Sequence, residues 1–382
     1  MTVTGIICEY NPLHLGHKKQ LDHVRQKNPD GGIVCLMSGN YVQRGMPAII
    51  DKMHRAEAAV RCGADLVLEL PATYALRSAE GFAAGGVSIL SPFCNKLCFG
   101  AEIADPDSIM QIAEALLSKD FSETLRKHLD TGLSFPAARQ VALEETGLDA
   151  SVLTQPNNIL AVEYCKAILS QGSSMVPMLI KREGDYHDDT PDPRNPSATA
   201  LRKLMGTGDN WQRYVPQEAT TCTGAMHHIA IGERAILARL RTMTDEDFTA
   251  LPYGSEGLWR KLMHAARTKA TLEEILEATK SKRYTRTRLD RMVMCAFLGI
   301  TEELLRAPVP YVRVLAFNDK GRQILKKARA HGEFINIGEA SDYPYQQFED
   351  RCSDLYGLFT ETPEAPGSQR NYRVYYHKNG EV

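Results

Sequence analysis

"GIICEYNPLHLGHKKQL", residues 5–21, opens as an apolar, β-branched run, turns at Asn11–Pro12, and crosses two histidines that bracket Gly16. It continues as a lysine-bearing segment in which Leu21 and Val24 share one helical face. The pattern predicts a buried strand over residues 4–10 handing over to a helix that begins beside His14 and His17. Four further β-like runs follow: "GGIVCLMSG" (31–39), "DLVLELP" (65–71), "KLCFGAE" (96–102) and "SMVPMLIKRE" (174–183). Helical patterns separate them, as in "DKMHRAEAAVRCGA" (51–64), "SAEGFAAGGVSILSP" (78–92) and "NNILAVEYCKAILSQ" (157–171). Strands alternating with helices imply right-handed βαβ units, and so an α/β fold with an open, doubly wound parallel sheet.

Residues 103–155 read as a helical insertion between units of that sheet. With "NPSATALRKLM" opening another helix, the first domain spans residues 1–205. Beyond it helical patterns dominate, as in "GERAILARLRTM" and "RTRLDRMVMCAFLG", so 206–382 is expected to be a mainly helical domain. The Pro- and Glu-rich "TETPEAPGSQ" (360–369) is expected to be a mobile connection to a last short strand, "YRVYYH".

At 382 residues the chain has room for two domains, each with its own core. The nine cysteines are scattered and lack any C-x-x-C pair, so neither a disulfide framework nor a zinc ribbon is expected, and no metal site of the protein's own. No apolar run reaches the roughly 20 residues that a membrane helix needs. The N-terminus lacks the charged start of an export signal, so a cytoplasmic, membrane-free protein is expected. A net charge of -2 gives no general attraction to nucleic acid, and any such partner must meet a local basic patch.

In an open α/β sheet, ligands bind beyond the carboxyl ends of the strands, where a helix N-terminus offers unpaired N–H groups to an anion. His14, Gly16 and His17 fall at that place. Gly16 lets backbone approach a phosphate, and two imidazoles can donate to its oxygens, the arrangement nucleotidyl transfer requires. "SATALR" (197–202) puts Ser197 and Thr199 at another helix start with Arg202 one turn in, which suits a departing pyrophosphate; a plain N-cap uses the same residues.

Together these segments resemble a known family. "GIICEYNPLHLGH", "SGNYVQRGMPAIIDK", "GADLVLELP", "CFGAE", "PNNILAVEY", "IKREGDYHD" and "SATALR" are similar, in the same order, to the blocks of bacterial tRNA(Met) cytidine acetate ligases. The resemblance covers residues 4–205 and continues more weakly to the C-terminus. It implies a nucleotidyltransferase-like fold that activates acetate with ATP, accompanied by Mg²⁺, to acetyl-adenylate. The acetyl group then passes to N4 of the wobble cytidine of elongator tRNA(Met). It also implies nucleotide contacts along Ile7, Glu9, Tyr10, Asn11, Pro12, His14, Gly16, His17 and Gln20, at Gly100, at Asn157 or Asn158, and at Arg182, with Ser197 and Thr199 on the phosphates. His14, His17 and Arg202 would be catalytic. By residue chemistry alone, Gly100 also serves as a strand end and the two asparagines as helix caps. Leu13, Leu15 and Gln20 depart from the family, which usually has Phe, Asn and a further His there.

"SGN" (38–40) is the candidate acetate pocket, or else a strand-to-loop turn. For RNA, "KSKRYTRTRLDR" (280–291) sets Lys280, Lys282, Arg283, Arg286, Arg288 and Arg291 against one acid, Asp290, a surplus of five around Tyr284. A solvated helix face has the same composition. "KGRQILKKARAHG" (320–332) is a second basic stretch. A small-molecule adenylyltransferase would share the first domain's chemistry without needing a basic second one, and a non-catalytic RNA-binding protein would not need the histidines.

Overall fold

The computed structural model describes residues 1–103, 105–181, 192 and 195–378. The first strands are β1 (Val3–Cys8) and β2 (Gly32–Ser38), followed by a small hairpin of β3 (Tyr41–Val42) and β4 (Met46–Pro47). Next come β5 (Leu66–Leu70), β6 (Lys96–Ala101) and β7 (Val176–Lys181), and late in the chain β8 (Val312–Asn318), β9 (Phe334–Asn336) and β10 (Tyr375–His377). The main sheet runs β10-β8-β5-β2-β1-β6-β7, with β9 paired to β8. Its pairs are parallel except β5 with β8. From β1 the chain steps outward to β2 and β5, then returns past β1 to β6. The strand order therefore reverses between β1 and β6, and a doubly wound sheet opens its ligand crevice there.

β2 and β5 are buried along their whole length, as strands covered on both faces must be. The Leu15–Lys27 and Lys52–Arg61 helices cover one face, setting Leu21, Val24, Ala56 and Val60 against Ile6, Ile33, Cys35 and Val67. The Ala79–Leu90 and Pro156–Ser170 helices cover the other with Phe82, Val87, Leu90 and Val162. The expected insertion forms the helices Pro106–Leu117, Lys119–Asp130 and Phe135–Glu144. These extend that second core through Ile109, Ile112, Phe121 and Leu143.

From residue 206 the chain is helical as far as Arg306 and then returns to the sheet, so a cut at 206 does not separate a sheet domain from a helical one. The reason lies in Arg313, a charge near the start of "VRVLAFN" that hides a strand. In the fold it is buried, and its Nη1 reaches Glu349 Oε2 at 3.0 Å and Glu69 Oε2 at 3.3 Å. The helices of this region share a core of Ile236, Phe248, Leu262, Met292 and Phe297, which also takes in Tyr41 and Leu76 of the first part. Nor is 360–369 a loose connection. Thr360 and Gln369 are buried, and Lys52 Nζ donates to Gln369 Oε1 at 2.5 Å and to Glu69 Oε1 at 2.7 Å. Removing one member of such a buried charge group leaves its partner uncompensated, at a cost of about 3–5 kcal/mol.

Candidate functional site

Beyond β1 the chain turns through Glu9, through Tyr10 in the left-handed region at φ 45°, and through a cis Asn11–Pro12 peptide. A tyrosine tolerates that backbone only where packing compensates. Tyr10 is buried, with its hydroxyl 3.4 Å from Cys35 Sγ and its ring 5.0 Å from the ring of His17. His14 is the N-cap of the Leu15–Lys27 helix. Its Nδ1 accepts from the Gly16 N–H at 3.1 Å, its own N–H donates to His17 Nδ1 at 3.3 Å, and the two rings stack 3.7 Å apart. The pair forms the reciprocal cap usually built from Ser or Thr and Glu. With each Nδ1 accepting, the neutral ring carries its proton on Nε2, so both imidazoles act as Nε2–H donors. Gly16 suits the cap itself, because a Cβ there would stand 3.0 Å from the His14 ring, a tighter contact than most side chains make.

The late motif meets the early one. Ser197 caps the Ala198–Thr207 helix, its Oγ accepting the Ala200 N–H at 3.1 Å and keeping its own O–H to donate. Arg202, 191 residues beyond Asn11, donates from Nη1 to the Asn11 carbonyl at 2.7 Å and from Nη2 to Thr199 Oγ1 at 3.1 Å. Lys19 Nζ reaches Asn195 Oδ1 at 2.7 Å. Two helix N-termini and a guanidinium thus come together at the tip of β1, where a polyphosphate is best accommodated. Pro12 is buried in the same turn, and Asn11 Oδ1 accepts the Ile49 N–H at 2.8 Å.

Three side chains around this turn and crevice carried little sequence signal. Arg55, buried on the inner face of the Lys52–Arg61 helix, donates to the carbonyls of Ile50 (2.8 Å), Glu9 (2.6 Å), Ser38 (3.0 Å) and Gly39, fastening the tips of β1 and β2 together. A basic residue in register with Ala56 and Ala59 was the one clue. Arg44 lies on the β3–β4 hairpin close enough to Glu9 and Arg202 to act on the charge of each. Glu102, just past β6, accepts from Asn157 Nδ2 at 2.6 Å and from the Asn158 N–H at 2.9 Å, so it caps the Pro156–Ser170 helix.

The other expected contacts divide. Gly100 is half-buried on β6, beside the crevice. Asn158 is buried, its Oδ1 committed to the N–H groups of Glu102 (2.9 Å) and Ile103 (3.2 Å), which makes it a brace behind the crevice. Asn157 is the less buried of the two. Gln20 points along the helix to β6, its Nε2 3.4 Å from the Cys98 carbonyl. Ile7 is half-buried against the Ala79–Leu90 helix, where Gly86 lacks the Cβ that would strike it. Arg182 lies outside the described residues. In "SGN", Ser38 Oγ is buried with no hydrogen-bond partner among the described residues, whereas Asn40 is engaged with the Lys52 N–H and Ser353.

Glu9 Oε1 accepts the Gln43 N–H at 2.7 Å. Burial raises its pKa above the ordinary carboxylate value, against the pull of Arg202, Arg44 and Arg55. The basic run is a different matter. Arg286 pairs with Glu273 (2.6 Å) and Asp290 (2.9 Å), Arg283 with Glu256 (3.0 Å), and Lys280 with Glu277 (3.5 Å). Tyr284 donates to Glu256 at 2.6 Å, and Arg288 lies over the Tyr284 ring while donating to the Tyr253 carbonyl at 2.8 Å. Three acids from outside the run thus cut its surplus from five to two.

The family model described as HIGH Nucleotidyl Transferase matches residues 1–371. A tRNA(Met) cytidine acetate ligase of Clostridium perfringens is 36% identical, covering 94% of this chain and 95% of its own. That of Halothermothrix orenii is 33% identical over 99% of this chain and 100% of its own. Crystal structures of Thermotoga maritima TmcAL, one apo and one bound with alpha-thio ATP, each superpose with a TM-score of 0.88 at 27% identity, covering 99% of this chain and 100% of theirs. The chain belongs to the tRNA(Met) cytidine acetate ligase family of HIGH nucleotidyl transferases.

Proposed function

We propose that the protein is an ATP-dependent ligase that activates acetate as acetyl-adenylate and transfers the acetyl group to N4 of the wobble cytidine of elongator tRNA(Met). The observation that carries this reading is the hydrogen bond from Arg202 to the Asn11 carbonyl, which brings the pyrophosphate-type motif against the paired histidines. ATP lies over β1 and β6, with its base toward Gly100 and Asn157 and its phosphates toward the two helix N-termini. An acetate oxygen attacks the α-phosphorus in line, and the bond to pyrophosphate breaks. His14 and His17 donate from Nε2 to the charge that develops on the α-phosphate. Arg202, Ser197 and Thr199 offset the charge of the departing pyrophosphate. Mg²⁺ would arrive with the nucleotide and would supply further neutralisation of the triphosphate charge beside Arg202, Ser197 and Thr199. The unpartnered Ser38 hydroxyl is the donor we assign to the acetate carboxylate.

The amine of cytidine then displaces AMP from the mixed anhydride, and an unpaired anticodon base reaches a pocket at little unstacking cost. We assign the tRNA to the helical region, with the exposed Lys280, Lys282 and Arg283 as its phosphate contacts. No described helix is long and apolar enough to cross a membrane. Nine buried, unpaired cysteines suit a reducing compartment, and we place the protein in the cytoplasm.

The test measures ATP consumption with and without acetate and tRNA. AMP release that needs both is the expected result. Turnover with acetate absent, or with a small acceptor in place of tRNA, would assign the site to another adenylyltransferase.

A further inference from the structure

One wall of the crevice at the tip of β1 is built around Glu9. Its backbone carbonyl is held by Arg55, which also holds the carbonyls of Ser38 and Gly39 at the tip of β2, and its Oε1 is held by the Gln43 N–H of the β3–β4 hairpin. The carboxylate is thus held through the hairpin that follows β2, while Gly100 and Asn157 lie beside β6. Its Oε2 has no hydrogen-bond partner among the described residues. The hairpin that orients it is seated on the Arg286–Leu298 helix. Gly45, at φ 79°, lies so close that a Cβ would be 2.4 Å from the Arg291 N, and Arg291 Nη1 donates to the Gln43 carbonyl at 3.3 Å. The group therefore sits between the activation site and the region assigned to tRNA.

We propose that Glu9 is the general base of the acyl-transfer step, an inference that rests on the ligase reading above. The N4 lone pair of cytidine attacks the acetyl carbon, the bond from that carbon to the adenylate oxygen breaks, and AMP leaves with the electron pair. The N4 proton passes to Glu9 Oε2 and from there to solvent once the products have left. Among the described residues, the neighbouring groups are committed elsewhere. His14 and His17 are donors because their Nδ1 atoms already accept. Glu69 is paired with Lys52 and Arg313, Asp51 with His54, and Glu102 with Asn157. Among the described residues, the charged or titratable groups that face Glu9 include Arg44 from the hairpin, Arg55, Arg202, and the Tyr164 phenol of the Pro156–Ser170 helix. The three cations favour its ionised form and burial opposes them; the net raised pKa brings the carboxylate toward the working pH, where a base is most effective.

The experiment separates the two half-reactions in Glu9→Gln, which keeps an oxygen for the Gln43 N–H. Acetate-dependent exchange of pyrophosphate into ATP reads activation. A single turnover from enzyme-bound acetyl-adenylate to tRNA reads transfer. Transfer is expected to fall about 10²- to 10⁴-fold, and at least about tenfold more than exchange falls. The wild-type transfer rate rises with pH to a plateau, and in Glu9→Gln that rise is lost. Glu9→Asp, with a base on a shorter arm, retains the pH-dependent rise at a lower plateau, which also controls for folding. Equal losses in both half-reactions, or an unchanged pH profile in Glu9→Gln, would overturn the assignment. Absence of acetate-dependent exchange in the wild type would instead break the ligase reading, and this role with it.

Discussion

The His14–His17 turn and the Lys280–Arg291 run both look like anion sites in sequence, and folding treats them in opposite ways. At the turn, polar groups far apart in the chain are brought together: two stacked histidines, two helix N-termini and Arg202. Along the run, cations adjacent in the chain meet carboxylates from elsewhere, Glu256, Glu273 and Glu277, and most of the surplus is answered internally. Charge density along a sequence therefore says less about a binding site than convergence of few groups in space.

The largest way to break that contrast is His17→Ala. It removes an Nε2–H donor to developing charge, and acetate-dependent pyrophosphate exchange should fall on the order of 10² or more. The reciprocal cap is lost as well, costing about 1 kcal/mol, which a melting curve resolves from the catalytic effect. Wild-type exchange in a folded variant would remove the turn from the chemistry and leave it a helix cap.

Arg202→Lys asks whether the fork matters beyond its charge. Lysine keeps the cation but cannot span the Asn11 carbonyl and Thr199 Oγ1 together, and the expected loss in exchange is roughly 10-fold. A variant at full rate would mean that the guanidinium serves only as a positive charge.

These two motifs were legible because they are local: "HLGH" and "SATALR" each lie within one turn of a helix start, and the alternation of strands and helices gives the sheet around them. What stayed hidden depends on contacts across the chain. β8 was obscured by Arg313, whose burial is permitted only by Glu69 and Glu349, more distant in sequence than any periodicity can report. Arg55 looked like an ordinary helix residue until its four carbonyl partners were assembled around it. For the basic run the error of a count along the chain is the same in kind, since the neutralising acids lie on other elements. Tyr284, read as a stacking base partner, is in the free protein tied to Glu256 and covered by Arg288.

Replacing Lys282, Arg283, Arg286 and Arg288 together with Ala tests the second region. Were all four on phosphate, the slope of log affinity for tRNA against log salt would flatten by about 3, at roughly 0.7 to 0.9 per contact. With Arg286 and Arg288 held by protein groups, a change nearer 1 to 2 is expected, with tRNA binding weakened about 3- to 10-fold at moderate salt. A flattening of 3 would show that the internal pairs give way to phosphate.

The smallest effect decides which partner Arg286 prefers. Its guanidinium meets Glu273 through two nitrogens, at 2.8 and 2.6 Å, a bidentate geometry that lies near the upper end of what exposed pairs contribute. A double-mutant cycle with Arg286→Ala and Glu273→Ala, read by chemical denaturation of the free protein, should give a coupling of about 0.5 to 1 kcal/mol. The same pair of changes can be cycled on tRNA affinity. If Arg286 stays on Glu273 in the complex, the two substitutions affect binding independently. If it swings to a phosphate, Glu273→Ala alone should tighten binding, because the competing carboxylate is gone, and that gain should vanish when Arg286 is already Ala. The run would then be a charge reserve released by RNA, and the contrast with the histidine turn would be one of timing.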